Sequence, residues 1–356
     1  MSDSRIPVAI LGATGAVGQT FIRLLDGHPW FRVAEVAASE RSAGKAYAEA
    51  TRWIEGDMPA DVAVLRVLPC DVASVRSPVV FSAMDAAVAG EMEPAFARAG
   101  RFVLSNAKNF RMDADVPLVI PEVNASHLAL LARQRRERGW SGAIVTNANC
   151  ASTTAAVAMA PLHARFGITQ VFAMTMQAVS GAGYPGVPTL DILGNVIPYI
   201  GDEEPKIERE MQKLLGRLDA ESVTPAPFVV SAHANRVPVE NGHTVCLSLA
   251  FETRPTVAEA IAVIREWTGD PLVRGLPSAP RVPIRYRDEP DRPQPRRDVM
   301  EGRGMGTVVG RVREDPILHL KLVAMSHNTI RGAAGCSILN AEVLVATGAI
   351  PRSVSP

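Results

Sequence analysis

The sequence predicts an α/β protein in two unlike parts, a Rossmann-like domain followed by a mixed α/β domain. Three observations carry this expectation. Residues 7–38 read as strand, glycine-rich loop, helix and strand, a βαβ unit. Short apolar strands then alternate with helical segments up to residue 146, the rhythm of a parallel sheet with helices on both faces. Beyond Cys150 the texture changes to longer strands with β-rich alternation, with helices between and after them.

Taken in order, the first strand is Pro7 to Leu11, followed by the loop Gly12-Ala-Thr-Gly15-Ala-Val-Gly18. A helix from about Val17 to Leu25 leads to a second strand, Arg32 to Ala38. Further strands are expected at Val62–Val67, Pro78–Ser82, Phe102–Ser105 and Leu118–Pro121, with a helix over Ala87–Ala99. An apolar strand around Val145 gives way at Cys150 to a helix of small residues, Ala151 to Ala156. Gln170–Ala178 and Thr244–Phe251 are the longer strands. Within Lys206–Leu218, Ile207, Met211, Leu214, Leu215 and Leu218 fall at helical spacing, and Pro205 suits a first turn. Thr256 and Glu259 form a capping-box pattern ahead of Ile261, Val263, Ile264 and Trp267, with Gly269 as the stop. Tyr286–Gly304, rich in proline and charge, is a long loop, either functional or mobile. Ile330–Thr347 reads as a small-residue helix returning to the first domain. The expected divisions are 1–150, 151–326 and 327–356.

Composition narrows the chemistry. A chain of 356 residues suits two domains, and Lys plus Arg equal Asp plus Glu at 37 each, so no basic field exists to hold nucleic acid. A small-molecule partner is expected. Cys70, Cys150, Cys246 and Cys336 lie far apart without a CxxC pair, which argues against a disulfide framework or a thiolate metal site. The chain runs from Met1 through Asp3 and Arg5 straight into a strand, and no apolar run reaches about eighteen residues. These features predict an unanchored, cytoplasmic protein with no metal.

The glycine loop follows a strand and opens a helix, the setting in which such spacing binds a dinucleotide. Glycines there permit a tight turn and let a pyrophosphate approach the helix N-terminus, with Gly12, Thr14, Gly15, Ala16 and Val17 as the candidate contacts. At the tip of the second strand, Ser39, Arg41 and Ser42 stand where an NAD site usually places an acid. They predict NADP, against the dissent of Glu40.

Cys150 is the candidate nucleophile. The positive end of a helix favours the thiolate, the reactive form, and Asn147 and Asn149 add amides beside it; the alternative is a buried structural cysteine. A thiol acting on an acyl group needs a base, an oxyanion donor and groups that hold the substrate. His243 opens a strong strand, Gln177 closes another, and Ser180–Pro188 between them is too rich in Gly and Pro for either regular structure. Glu203 and Lys206 share a helix face, as binding groups for an amine and a phosphate or as a plain surface ion pair.

With these motifs in order, the chain resembles the aspartate-semialdehyde dehydrogenases of the branch found in archaea and fungi. The resemblance covers nearly the whole length. It rests on Gly12–Gly18; Ala38-Ser-Glu-Arg-Ser-Ala-Gly-Lys45; Ser105-Asn-Ala-Lys-Asn-Phe-Arg111; Asn149-Cys150; Ser180–Pro188 with Leu190-Asp-Ile-Leu; Asn235-Arg-Val-Pro-Val with His243; Asp291–Arg296; and His327–Gly335. It implies reduction of L-aspartyl 4-phosphate by NADPH to L-aspartate 4-semialdehyde, on the way to lysine, threonine and methionine. It also implies roles. Cys150 would form a thioester, its own N–H and Asn149 holding the oxyanion; His243 would serve as acid/base, and Gln177 would orient the acyl group. Arg236 would grip the α-carboxylate, Arg111 and Lys206 the phosphate, with Asn109 beside them, and Glu203 the ammonium, although Asp202 and Glu204 are adjacent candidates. Ser180, Gly181, Asn328 and Thr329 would lie near the nicotinamide. A homodimer or homotetramer through the second domain is implied. Two other readings remain: a malonyl-CoA or succinyl-CoA reductase of the same branch, and a non-catalytic NADP-binding sensor.

Overall fold

The computed structural model describes residues 4–352; Met1–Asp3 and the last four residues, onto which the expected first and last segments extend, lie outside them. Six parallel strands form the first sheet: β1 (Ile6–Leu11), β2 (Phe31–Ala38), β3 (Leu68–Pro69), β4 (Val79–Ser82), β5 (Phe102–Ser105) and β6 (Ala143–Thr146). Their order is β3-β2-β1-β4-β5-β6, which reverses direction between β1 and β4 and opens a crevice at their C-terminal ends. Alternation along β1 feeds both faces. Val8 and Ile10 pack on helix Ala16–Leu25 and on the C-terminal helix Gly335–Ala346, through Phe21, Ile22, Ile338, Ala341 and Leu344. Ala9 and Leu11 pack with Phe96 and Ala97 of helix Ala86–Arg98 on the other face.

The second sheet is mixed. Its strands are β7 (Ile168–Gln177), β10 (Val229–Arg236), β11 (His243–Phe251), β12 (Ile284–Arg287), β13 (Thr307–Glu314) and β14 (Leu320–Ser326), in the order β10-β7-β11-β14-β13-β12. The remaining two, β8 (Arg217–Asp219) and β9 (Ser222–Thr224), make a separate hairpin. Helices Cys150–Phe166, Glu203–Leu214 and Val257–Glu266 cover one face of the mixed sheet and share its core. The predicted capping box at Thr256 and Glu259 is formed. The opposite face is bare, leaving Phe172 41% and Val229 69% exposed.

Several expected elements differ. Val62–Val67 is not a strand: Ala60–Ala63 is one helical turn, Val64 is exposed, and the strand that follows is only Leu68–Pro69. Proline at a sheet edge donates no ladder bond, so pairing stops there. In 118–121 only Leu118 makes a bridge, to Thr146, and Pro121 opens the turn Pro121–Asn124. Val119 and Ile120 are fully buried, and a short run buried all round carries no period to separate strand from core loop. The helix expected over 206–218 runs Glu203–Leu214, and Leu218 lies in β8. Of the expected loop 286–304, Tyr286 and Arg287 belong to β12; the rest holds the short helix Pro295–Asp298 and is pinned by Arg292 to Asp298, whose Oδ2 also accepts the Gln294 N–H at 2.7 Å. The segment 330–347 begins as a π-turn, Ile330–Ala334, before becoming α-helical.

Candidate active site

Strand endings place most of the candidate residues. β7 and β10 are parallel and in register at their C-terminal ends, so Gln177 and Arg236 are neighbours. β11 runs antiparallel to β7, which brings its first residue, His243, to the same end. From the other sheet, β6 ends at Thr146 and leads through Asn149 into helix Cys150–Phe166. The nucleophile turn of one sheet thus meets the strand ends of the other.

Asn149 is the N-cap. Its Oδ1 accepts the N–H groups of Ala151 (2.9 Å) and Ser152 (3.1 Å), satisfying two of the donors a helix start leaves over. Its Nδ2 donates to Glu203 Oε1 at 2.7 Å, and Gln177 Nε2 donates to the same oxygen at 3.0 Å. The amide that the sequence offered to an oxyanion is therefore committed to a carboxylate. Asn147 also departs from expectation. Its amide faces the C-terminal helix, donating to Ser337 Oγ (2.6 Å) and accepting from Asn340 (2.9 Å).

The three adjacent acids separate cleanly. Glu203 is buried and 3.6 Å from Lys206 Nζ, whereas Asp202 is exposed and paired with Lys108, and Glu204 accepts the Ala234 N–H. Arg111 is buried, with Nη1 on Glu210 Oε1 at 2.9 Å and Nη2 on the Asn106 carbonyl at 2.8 Å. Together with Lys108, Lys206, Arg209 and Asp202 it lines a cavity of about 270 Å³. Asn109 is not part of this group. Its Nδ2 turns away to the Ala86 carbonyl (2.9 Å) on an exposed surface, because 107–112 is a turn that carries Asn109 outward while Lys108 and Arg111 line the cavity. Sequence reasoning missed Lys108, Arg209 and Glu210. A signal was present: Glu203, Lys206, Glu210 and Lys213 recur at helical spacing and form a polar stripe beside the apolar one.

Two glycines press directly on the reactive groups. A Cβ on Gly332, in the π-turn, would lie 2.5 Å from Cys150 Cβ; one on Gly181 would lie 2.9 Å from Arg236 Nη1 and 3.0 Å from His243 Nε2. Arg236 Nη1 donates to the Ala178 carbonyl at 2.8 Å, while the Ala178 N–H donates to His243 Nδ1 at 3.1 Å. With Nδ1 accepting, the neutral ring carries its proton on Nε2, a buried atom without a hydrogen-bond partner. Burial, reinforced by the nearby charge of Arg236, pushes His243 down to about 3, so the ring is neutral near pH 7.

Cys150 overturns an expectation. Burial first, and the Glu203 carboxylate second, push its thiol up to about 12, outweighing Arg111, Arg236 and the Ala151 N–H. A helix N-terminus lowers a thiol only within its partial charge, and desolvation beside a carboxylate exceeds it.

The glycine loop fits a dinucleotide. Gly12 has φ +71°, and a Cβ there would meet the Ala83 carbonyl at 2.5 Å; at Gly18 it would meet the Gly12 carbonyl at 2.3 Å. Helix Ala16–Leu25 starts at Gly15 with neither a side-chain cap nor an acid in its first turn, leaving its N–H groups to an incoming anion. Thr14 sits in that loop, its carbonyl held by Gln19 Nε2 at 3.0 Å. Ser39, Arg41 and Ser42 follow β2 in a turn beside it, and Arg41 is exposed without an ion pair among the described residues. Asn328 ties Ser180 Oγ (2.7 Å) to the Gly242 N–H (2.9 Å), and Thr329 Oγ1 lies 3.3 Å from His327 Nδ1.

Comparison with known proteins agrees with this architecture. Residues 7–131 match the model described as "Semialdehyde dehydrogenase, NAD binding domain" and residues 159–331 the one described as "Semialdehyde dehydrogenase, dimerisation domain". The aspartate-semialdehyde dehydrogenase of Archaeoglobus fulgidus is 48% identical over 342 residues, 96% of this chain and 98% of that protein. That of Schizosaccharomyces pombe is 46% identical over 350 residues, 96% and 98% of the two chains. The crystal structure of the Candida albicans enzyme with NADP superimposes with a TM-score of 0.89 at 42% identity, covering 97% of this chain and all of that one. Identity at this level, sustained across both domains, places the chain in the aspartate-semialdehyde dehydrogenase family.

Proposed function

We propose that the chain reduces L-aspartyl 4-phosphate to L-aspartate 4-semialdehyde with NADPH, releasing phosphate, through a thioester on Cys150. The observation that carries this reading is the convergence of Cys150, Gln177, Glu203, Arg236 and His243 from separate elements onto one point. Gly12, Thr14, Gly15, Ala16 and Val17 hold the dinucleotide phosphates, Ser39, Arg41 and Ser42 the 2′-phosphate, and Ser180, Gly181, Asn328 and Thr329 the nicotinamide end. Bound there, NADPH supplies a hydride.

Cys150 Sγ attacks the acyl carbon, the carbon–oxygen bond to phosphate breaks, and the thiol proton leaves on the phosphate. The oxyanion falls to the Cys150 N–H, which a helix start leaves unpaired. Arg236 forks the α-carboxylate and Glu203 receives the ammonium, which replaces the two amide donors as its partners or joins them. Charge from that ammonium also offsets the Glu203 carboxylate, the second cause after burial of the raised thiol. His243 meets the reacting group as an Nε2–H donor, and acting as a base requires its proton to move to Nδ1 with loss of the Ala178 contact. Arg111 and Lys206 hold the phosphate, with Lys108 at the cavity rim.

Residues 1–150 are assigned to the cofactor domain, 151–326 to the catalytic and dimerisation domain, and 327–356 to the returning segment. Among the described residues no helix is long and apolar enough to cross a membrane, and a cytoplasmic location is proposed. We assign the bare face of the mixed sheet, with Phe172, Val229 and Ile317 around a cavity of about 600 Å³, to a homodimer. Sedimentation of the wild type against Phe172→Glu checks this, a monomeric wild type overturning it. The function is tested by phosphate-dependent reduction of NADP with aspartate semialdehyde. Wild type turns over and Cys150→Ala does not; inactive wild type, or active Cys150→Ala, refutes the reading.

A further inference from the structure

We propose that Glu210 is a positioning residue that fixes the phosphate-binding arginine relative to the nucleophile turn. Glu210 lies on helix Glu203–Leu214 and is 2% exposed. Its Oε1 accepts from Arg111 Nη1 at 2.9 Å, and its Oε2 accepts the backbone N–H of Asn149 at 2.5 Å. One carboxylate therefore holds both the guanidinium that faces the anion cavity and the residue immediately before Cys150. Both partners come from the first sheet's loops, whereas Glu210 belongs to the second sheet's helical layer, so the contact crosses between the domains. Lys213, one turn further on, secures the same loop by donating to the carbonyls of Arg111 (2.7 Å), Asp113 (2.8 Å) and Val116 (2.9 Å). Lys213 grips main chain alone; Glu210 grips the functional side chain.

Arg111's second contact, to the Asn106 carbonyl, leaves the guanidinium free to rotate about one bond unless Glu210 holds the other nitrogen. Glutamine cannot substitute. It presents one acceptor and one donor group to two donors, so either the Arg111 or the Asn149 contact breaks while side-chain volume is kept.

The inference rests on the assignment of phosphate to Arg111. Its test is a cycle of Glu210→Gln, Arg111→Gln and the double variant, measured as the phosphate and aldehyde KM values in the NADP-reducing direction, with urea midpoints alongside. Glu210→Gln raises the phosphate KM about tenfold, as expected for one charge-assisted contact, and the aldehyde KM much less. In the Arg111→Gln background the same change moves the phosphate KM by less than about twofold. A phosphate KM unchanged in Glu210→Gln, or raised equally in both backgrounds, overturns the proposal. If wild type does not turn over aspartate semialdehyde, the enzymatic reading falls by itself. Inorganic phosphate binding, followed by ³¹P line broadening, then decides between the same alternatives: weakened binding in Glu210→Gln upholds the positioning role, and equal binding refutes it.

Discussion

Replacing Gly332 by alanine adds one methyl group where the fold leaves none. That Cβ would stand 2.5 Å from Cys150 Cβ and 2.9 Å from Cys150 Cα, against ordinary contact from 3.4 Å. The π-turn and the nucleophile must separate by about 0.9 Å, and both are held: Arg331 by its buried pair with Glu122 at 2.7 Å, Cys150 by the Asn149 cap. Overpacking of this kind costs about 1–3 kcal/mol of stability. A displacement near 1 Å at a reacting atom costs on the order of 100-fold in rate, equivalent to about 2.7 kcal/mol of barrier. The assay is steady-state kcat in the NADP-reducing direction, with urea unfolding of the same samples. Gly335→Ala is the control, because its Cβ would strike Met305 Sδ at 2.5 Å and the Ile330 carbonyl of the same π-turn at 2.9 Å but not Cys150. Gly332→Ala loses about two orders of magnitude in kcat, and Gly335→Ala loses stability without a comparable loss of rate. A folded Gly332→Ala protein with kcat within about threefold of wild type refutes the claim that this glycine sets the nucleophile's position.

Other consequences concern charge. Since the free thiol sits near 12, alkylation of Cys150 by iodoacetamide rises with pH through 7–10 without a plateau, whereas a helix-activated thiolate would level off. Glu203 raises that value, so Glu203→Gln speeds alkylation at pH 8 even though it slows turnover; slower alkylation would contradict the assigned cause. Arg41→Ala is expected to raise the KM for NADPH about tenfold or more while leaving that for NADH nearly unchanged, measured side by side. Glu122→Gln leaves Arg331, fully buried, without its carboxylate and lowers unfolding free energy by about 3 kcal/mol in urea titration. A loss below about 1 kcal/mol would mean that the pair is not what keeps the charge there.

Legibility followed periodicity and chain punctuation. β5 was readable to the residue, helix 86–98 to within one, and the Thr256 capping box entirely, the last because it depends only on neighbours in sequence. Val62–Val67 and Leu118–Pro121 failed for the opposite reason, since apolar content alone does not say whether a partner strand lies alongside. Among site residues, the positions of Gln177 and His243 at strand ends were visible, whereas the strand Val229–Arg236 that ends at Arg236 was not. The dismissal of Asn109 and the recruitment of Lys108 were not, because which side of a loop faces the second domain is set by docking; Glu210 lay on a readable polar stripe of its helix, but its partners Arg111 and Asn149 come from the other domain's loops.

By itself the sequence determined that a cysteine opens a helix, that a glycine loop opens another, and that an acid is missing from the tip of β2. These are local facts, fixed by backbone preference and by spacing along one element. Only the tertiary structure decided the state of the thiol. Helix position argued for a thiolate, while burial and Glu203, a residue 53 positions away in sequence, hold the proton on. Desolvation and Coulomb energy depend on what surrounds a group in space, and the charges that act on Cys150, those of Glu203, Arg111 and Arg236, all come from residues distant in sequence.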